Sequence, residues 1–117
     1  MMIETHIVLS DDKCKALLLK YFGIDVDNFV AYIGTTKHGD NVLTLSSDEI
    51  IMTFNEVNIE EIIVDFFNSD VSKIDNVHAY IINKEDRKYV GFTCAMSIEG
   101  IKSIMAVSYT HLRAHET

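Results

Sequence analysis

The run Asn58-Ile59-Glu60-Glu61-Ile62-Ile63-Val64-Asp65-Phe66-Phe67-Asn68 decides the architecture of this chain. Its core, Ile-Ile-Val-Asp-Phe-Phe, is dense in β-branched and aromatic residues, which suit a pleated, half-buried surface. That density favours a strand. The competing reading is a helix: Asn58 with Glu61 makes a capping-box-like start, and Ile59, Ile62, Ile63, Phe66 and Phe67 fit a stripe at helical spacing. In a strand, Phe66 and Phe67 point to opposite faces. One of them then needs solvent or another surface to cover it, so Phe66 and Phe67 mark a candidate partner face.

Working toward the N-terminus, the clearest helical signal spans residues 11–22. Ser10 is placed to cap it, Asp11 and Asp12 occupy the first turn, and Gly23 stands where a left-handed C-terminal residue is expected. Cys14, Leu17, Leu18, Tyr21 and Phe22 form one apolar stripe. From Phe29 onward, short β-branched and aromatic runs alternate with turn residues. Strands are expected at Phe29–Thr35, Val42–Ser46 and Glu49–Phe54, with turns at His38–Asn41, Ser47-Asp48 and Asn55–Asn58. In the second of these strands Val42 and Thr44 share one face, and Leu43 and Leu45 the other. Asn76–Asn83 and Lys88–Ala95 read as a hairpin across Lys84-Glu85-Asp86-Arg87. Ser97–Ala106 reads as a closing helix with Ser97 as its cap and Ile98, Ile101, Ile104 and Met105 on one side. Gly100 weakens that helix by about 1 kcal/mol relative to Ala. The expected class is α+β, mainly antiparallel β, with an N-terminal helix and a C-terminal helix.

That outline resembles the pleckstrin-homology-like barrels, and between Asn41 and Met105 it is similar to the small bacterial PH-like (YokE/GRAM-type) modules. The segment Val42-Leu43-Thr44-Leu45-Ser46-Ser47-Asp48-Glu49-Ile50-Ile51-Met52 resembles a strand pair of that family. Phe67-Asn68-Ser69-Asp70-Val71-Ser72-Lys73-Ile74 resembles its later strand corner, and Lys88-Tyr89-Val90-Gly91-Phe92-Thr93 its closing strand. The resemblance implies a PH-like barrel or roll and a binding or scaffold module. It does not extend to the basic loop of phosphoinositide binders, since the corresponding turn offers only Lys37 and His38 beside Asp40.

The tail Val107-Ser108-Tyr109-Thr110-His111-Leu112-Arg113-Ala114-His115-Glu116-Thr117 resembles the translation of a transposase-type sequencing adapter. On that reading residues 107–117 are non-native, the domain is residues 1–106 with a truncated closing helix, and the chain is a metagenomic fragment. His111 and His115 stand at i, i+4, a metal-like spacing, but a zinc site needs further ligands and none is evident. Segments of this kind are set aside before fold is argued.

Composition narrows the function classes. The chain has 117 residues, of which 48% are apolar and 24% charged, enough for one folded domain and too apolar for a disordered one. Eighteen acidic against ten basic residues leave a net charge of −8. Arg113 and Glu116 cancel, so removing the tail leaves that charge unchanged. Such a surface argues against nucleic acid and anionic membranes as partners. No apolar run is long enough to span a bilayer, and no basic segment followed by an apolar one opens the chain, so a cytoplasmic location is expected. The abundance of Ile and Asn fits an AT-rich bacterial or phage genome.

Chemistry-bearing motifs are sparse. Lys84, Arg87 and Lys88 form the one basic cluster, a candidate anion site, but Glu85 and Asp86 beside them favour a solvated turn. Cys14 and Cys94 show no metal-ligand spacing, and neither is tied by spacing to His6, His38 or His78; both read as core. The five glycines are scattered, so no phosphate loop forms. No catalytic residue, cofactor site or metal site is therefore assigned. The leading expectation is a small acidic, non-enzymatic module acting by protein–protein contact, with strand addition at an open barrel edge as one mode. Two rivals are a phage-type inhibitor whose acidic surface mimics nucleic acid, and an enzyme built on a Cys/His pair in a cleft.

Overall fold

The computed structural model describes residues 1–68 and 72–106. The tail with its His111/His115 pair lies outside these residues, as does Ser69-Asp70-Val71 of the strand-corner resemblance. Eight elements run in the order β1 (Ile3–Leu9), α1 (Asp11–Tyr21), β2 (Val30–Thr35), β3 (Asn41–Ser46), β4 (Ile51–Phe54), α2 (Glu56–Phe67), β5 (Ile74–Lys84) and β6 (Arg87–Met96). A third helix, α3, covers residues 98–106. The strands form two antiparallel three-stranded sheets, β1-β6-β5 and β2-β3-β4. The α+β class is thus as expected, but among the described residues the two sheets do not join into a closed barrel.

The decisive run is a helix, and the strand expected there is corrected. Asn55 caps α2: its side chain accepts from the Asn58 N–H at 2.8 Å, and the Asn58 side chain accepts from the Asn55 N–H at 2.9 Å. The capping box therefore starts one turn before the Asn58/Glu61 pair, in what reads locally as a turn. Ile59, Ile62, Ile63 and Phe67 are buried along one face. At i, i+3, i+4 and i+8 a helix sends all four into the core, whereas a strand would divide them between two faces. Burial outweighs the β-propensity of the individual residues, which spans only about 1 kcal/mol.

Helix α1 forms as the sequence leads one to expect. Ser10 Oγ accepts from the Lys13 N–H at 3.2 Å. At the other end Gly23 takes φ +71°, its N–H donates to Lys20 O, and the Ile24 N–H donates to Leu19 O at 2.8 Å. This is a Schellman closure, which needs the left-handed residue that glycine supplies. Cys14, Ala16, Leu17, Leu18 and Leu19 are buried, while Phe22, at the C-cap, is exposed.

The 84–87 hairpin is observed with Lys84 opposite Arg87, leaving Glu85-Asp86 as a two-residue turn. Strand β1 is an addition to the elements expected from the sequence. It pairs along its whole length with β6, Ile3 opposite Met96 through Leu9 opposite Val90. In α3 the Ser97 side chain accepts from the Gly100 N–H, confirming the expected cap. Gly100 is also explained: a Cβ there would lie 2.8 Å from Met96 Cγ, so its absence lets α3 approach the end of β6.

One apolar cluster joins the inner faces of both sheets with α1, α2 and Ile104 of α3. The outer edge of β5 is covered by side chains. Glu60 Oε1 accepts from the Ala79 N–H at 2.8 Å, and Glu56 Oε2 from the Ile81 N–H at 2.7 Å. The Asn41 amide donates to Ile81 O at 3.1 Å, drawing the second sheet against the same edge. An edge so occupied is closed to another strand.

Candidate protein-contact surface

Alternation along β2, β3 and β4 separates the second sheet into two faces. Ala31 lies opposite Leu45 and Ile33 opposite Leu43, and Leu45 and Leu43 in turn face Met52 and Phe54. These side chains enter the core. The intervening positions form three rows on the other face: Val30–Ser46–Ile51, Tyr32–Thr44–Thr53, and Gly34–Val42. Here Val30 is 61%, Tyr32 52% and Ile51 67% exposed. A Cβ added at Gly34 would meet nothing within 4 Å. The face thus exposes Val30, Tyr32 and Ile51 around polar Ser46 and Thr53 and a buried Thr44, on a sheet whose other side is already committed to the core. Polar residues are the usual covering for the solvent side of an antiparallel sheet, and large exposed apolar patches mark contact sites.

Just beyond the Val30–Ser46–Ile51 row, the approach to β2 and the β3–β4 turn enclose a depression of about 640 Å³. Ile24, Phe29 and Ile50 supply apolar surface, and Asp25, Asp27, Asp48 and Glu49 line it with carboxylates. Ile50 is itself 47% exposed and adjoins Ile51. The turn is set by Ser47, whose N–H donates to Ile50 O at 2.9 Å while its Oγ accepts from the Glu49 and Ile50 N–H groups.

The residues singled out from the sequence fall elsewhere. Phe67 is buried, and Phe66 is half-buried and packs on the Tyr21 ring, with centroids 6.5 Å apart. Their positions follow from the helix, so the alternation on which the Phe66/Phe67 face rested does not occur. Lys84, Arg87 and Lys88 are all exposed. Strand register puts Lys84 and Arg87 opposite one another but Lys88 opposite Asn83, on the other face, so the three do not converge.

The cysteines and histidines are distributed as follows. Cys14 is buried in α1, and burial, reinforced by the nearby Asp11 charge, pushes its thiol up to about 12. Cys94 lines a 430 Å³ cleft with Glu4, Thr5, His6, Asn76, Thr93 and Ala95. Burial raises its thiol as well, the opposite of what an attacking thiolate needs. Register places Cys94 opposite Thr5, whereas His6 lies opposite Thr93 and points to the other face. His6 is engaged instead with Tyr80: its Nε2 and the Tyr80 hydroxyl share a hydrogen bond across β6, over Gly91. His78 sits opposite Thr93 on the far strand. Among the described residues no group of three or more His, Cys, Asp or Glu is arranged to hold a metal ion, and no helix is long and apolar enough to cross a membrane.

The outer face of β2-β3-β4 did not stand out in the sequence. Its signal is present: Val30-Ala31-Tyr32-Ile33 is apolar at both phases of a strand, and Ile50-Ile51 extends the pattern. Comparison with protein families, known proteins and solved structures finds no match to this chain.

Proposed function

We propose that this chain is a small acidic, non-enzymatic binding module that acts by protein–protein contact through the outer face of β2-β3-β4. The observation that carries this reading is the exposure of Val30, Tyr32 and Ile51 on one side of a sheet whose other side is fully used by the core. A PH-like organisation belongs to the same proposal. Two antiparallel sheets followed by a closing helix support it, while α2 between β4 and β5 departs from that outline. The nucleic-acid-mimic reading has less support. Its carboxylates would gather on one face; Asp25, Asp27, Asp48 and Glu49 share a depression, but Glu56 and Glu60 cap the β5 edge and Asp65 accepts from the Tyr21 hydroxyl.

The test is selection of binders from a displayed random-peptide library on the immobilised full chain, followed by measurement on Val30→Asp and Ile51→Asp variants. Binders selected on the wild type are expected to lose affinity by about tenfold or more on both variants, equivalent to about 1.4 kcal/mol. Circular dichroism should show the fold retained. Binders indifferent to both substitutions would place the contact elsewhere and end this reading.

A further inference from the structure

We propose that the partner of this face is a cationic, apolar polypeptide segment, whose apolar side chains lie on Val30, Ile50 and Ile51 and whose Lys or Arg residues reach the carboxylates of the adjoining depression. The inference rests on the contact reading above and names the chemistry of the occupant.

The apolar surface adjoins the charged one at Ile50, which lines the depression and is exposed next to Ile51. Val30 and Ile51 close the last row of the sheet, the buried Phe29 and the exposed Ile50 immediately precede them in the chain, and Asp25, Asp27, Asp48 and Glu49 line the same depression as these two. Among the described residues that line it there is no Lys, Arg or His. One cation stands beside it: Lys15 donates to Phe29 O at 3.3 Å and pairs with Asp12 at 3.5 Å. A ligand seated on Ile50 and Ile51 therefore meets a predominantly negative rim, with Asp48 and Glu49 next to Ile50, and complementary charge there steers encounter and sets specificity.

The same charges exclude other occupants. A second copy docking with its two-fold axis at the depression would bring its own Asp25, Asp27, Asp48 and Glu49 against these, like charge against like, at −8 net charge per chain. Nucleic acid and anionic lipid are repelled for the same reason.

Three labelled synthetic peptides test this against the full chain by fluorescence anisotropy: alternating Lys–Leu, alternating Glu–Leu and alternating Lys–Ser. Lys–Leu is expected to bind at least about tenfold more tightly than either other peptide, and to weaken as salt is added. The double reversal Asp48→Lys/Glu49→Lys should weaken Lys–Leu by about tenfold or more. The control Glu85→Lys/Asp86→Lys changes net charge equally in the remote hairpin turn and should leave binding unchanged. Equal weakening by both reversals would mean attraction to net charge alone and would overturn the proposal. Equal binding of Lys–Leu and Glu–Leu, still abolished by Ile51→Asp, would remove the cationic partner yet keep the contact face. Binding indifferent to Ile51→Asp would remove both. Self-association that Ile51→Asp abolishes would make the occupant a second copy.

Discussion

Tyr80 lies across Gly91 to reach His6, linking the two outer strands of the first sheet over the middle one. A Cβ at Gly91 would sit 2.6 Å from Tyr80 Cζ and 3.0 Å from Ile7 O. The ring can swing aside, but only by leaving His6, and the Ile7 carbonyl is held by strand pairing. Gly91→Ala should therefore destabilise the fold by about 1 kcal/mol, crowding outweighing the gain in strand propensity. Urea unfolding measures it, and an unchanged midpoint would show that the Tyr80 bridge contributes nothing. Cys14 supports a prediction in pH. Its thiol titrates near 9 when unfolded and near 12 when folded. The stability due to the neutral buried thiol is complete below pH 9 and falls as pH rises toward 12, by at most about 1.4 kcal/mol per pH unit. Unfolding measured from pH 8 to 11 should show a steeper loss for the wild type than for Cys14→Ala. Parallel curves would mean that Cys14 is not shielded.

At the scale of elements, α2 carries the most consequence. Removing its cap with Asn55→Ala should cost about 1 kcal/mol. Glu60→Ala leaves the Ala79 N–H without its acceptor, for a loss of about 1–3 kcal/mol, while Glu60→Gln keeps an acceptor oxygen and should cost less. Replacing Glu56 and Glu60 together by Ala uncovers the β5 edge, and faster aggregation, read by light scattering, is expected. Aggregation no faster than wild type would show that the edge is protected otherwise. How much of this was legible differs by element. Ser10, Asp11, Asp12 and Gly23 announce α1 because caps act within a turn of the chain. The 84–87 hairpin is likewise local. Strand β1 escaped because Ile3–Leu9 pairs with a strand more than eighty residues away, and periodicity carries no trace of such a partner. Residues 58–68 misled because Ile, Val and Phe suit either period, and only the core selects between them. The contact face was obscured for a related reason: outward Val30 and Tyr32 resemble core residues until their neighbours Ala31 and Ile33 are seen to occupy the inner side.

The whole molecule places its sheets differently with respect to solvent. On the first, Tyr80 and Tyr89 pack edge to face beside the His6 bridge, and α2 side chains close the β5 edge. The second turns Val30, Tyr32 and Ile51 outward beside a carboxylate-lined depression, and that asymmetry underlies the proposed contact. Backbone amide chemical-shift mapping with a peptide selected from the displayed library tests it most directly. Perturbations are expected to centre on Val30, Tyr32, Thr44, Ser46, Ile51 and Thr53. Perturbations confined to the cleft of His6, Asn76 and Cys94, or to the groove of Glu61, Val64 and Val77, would contradict it.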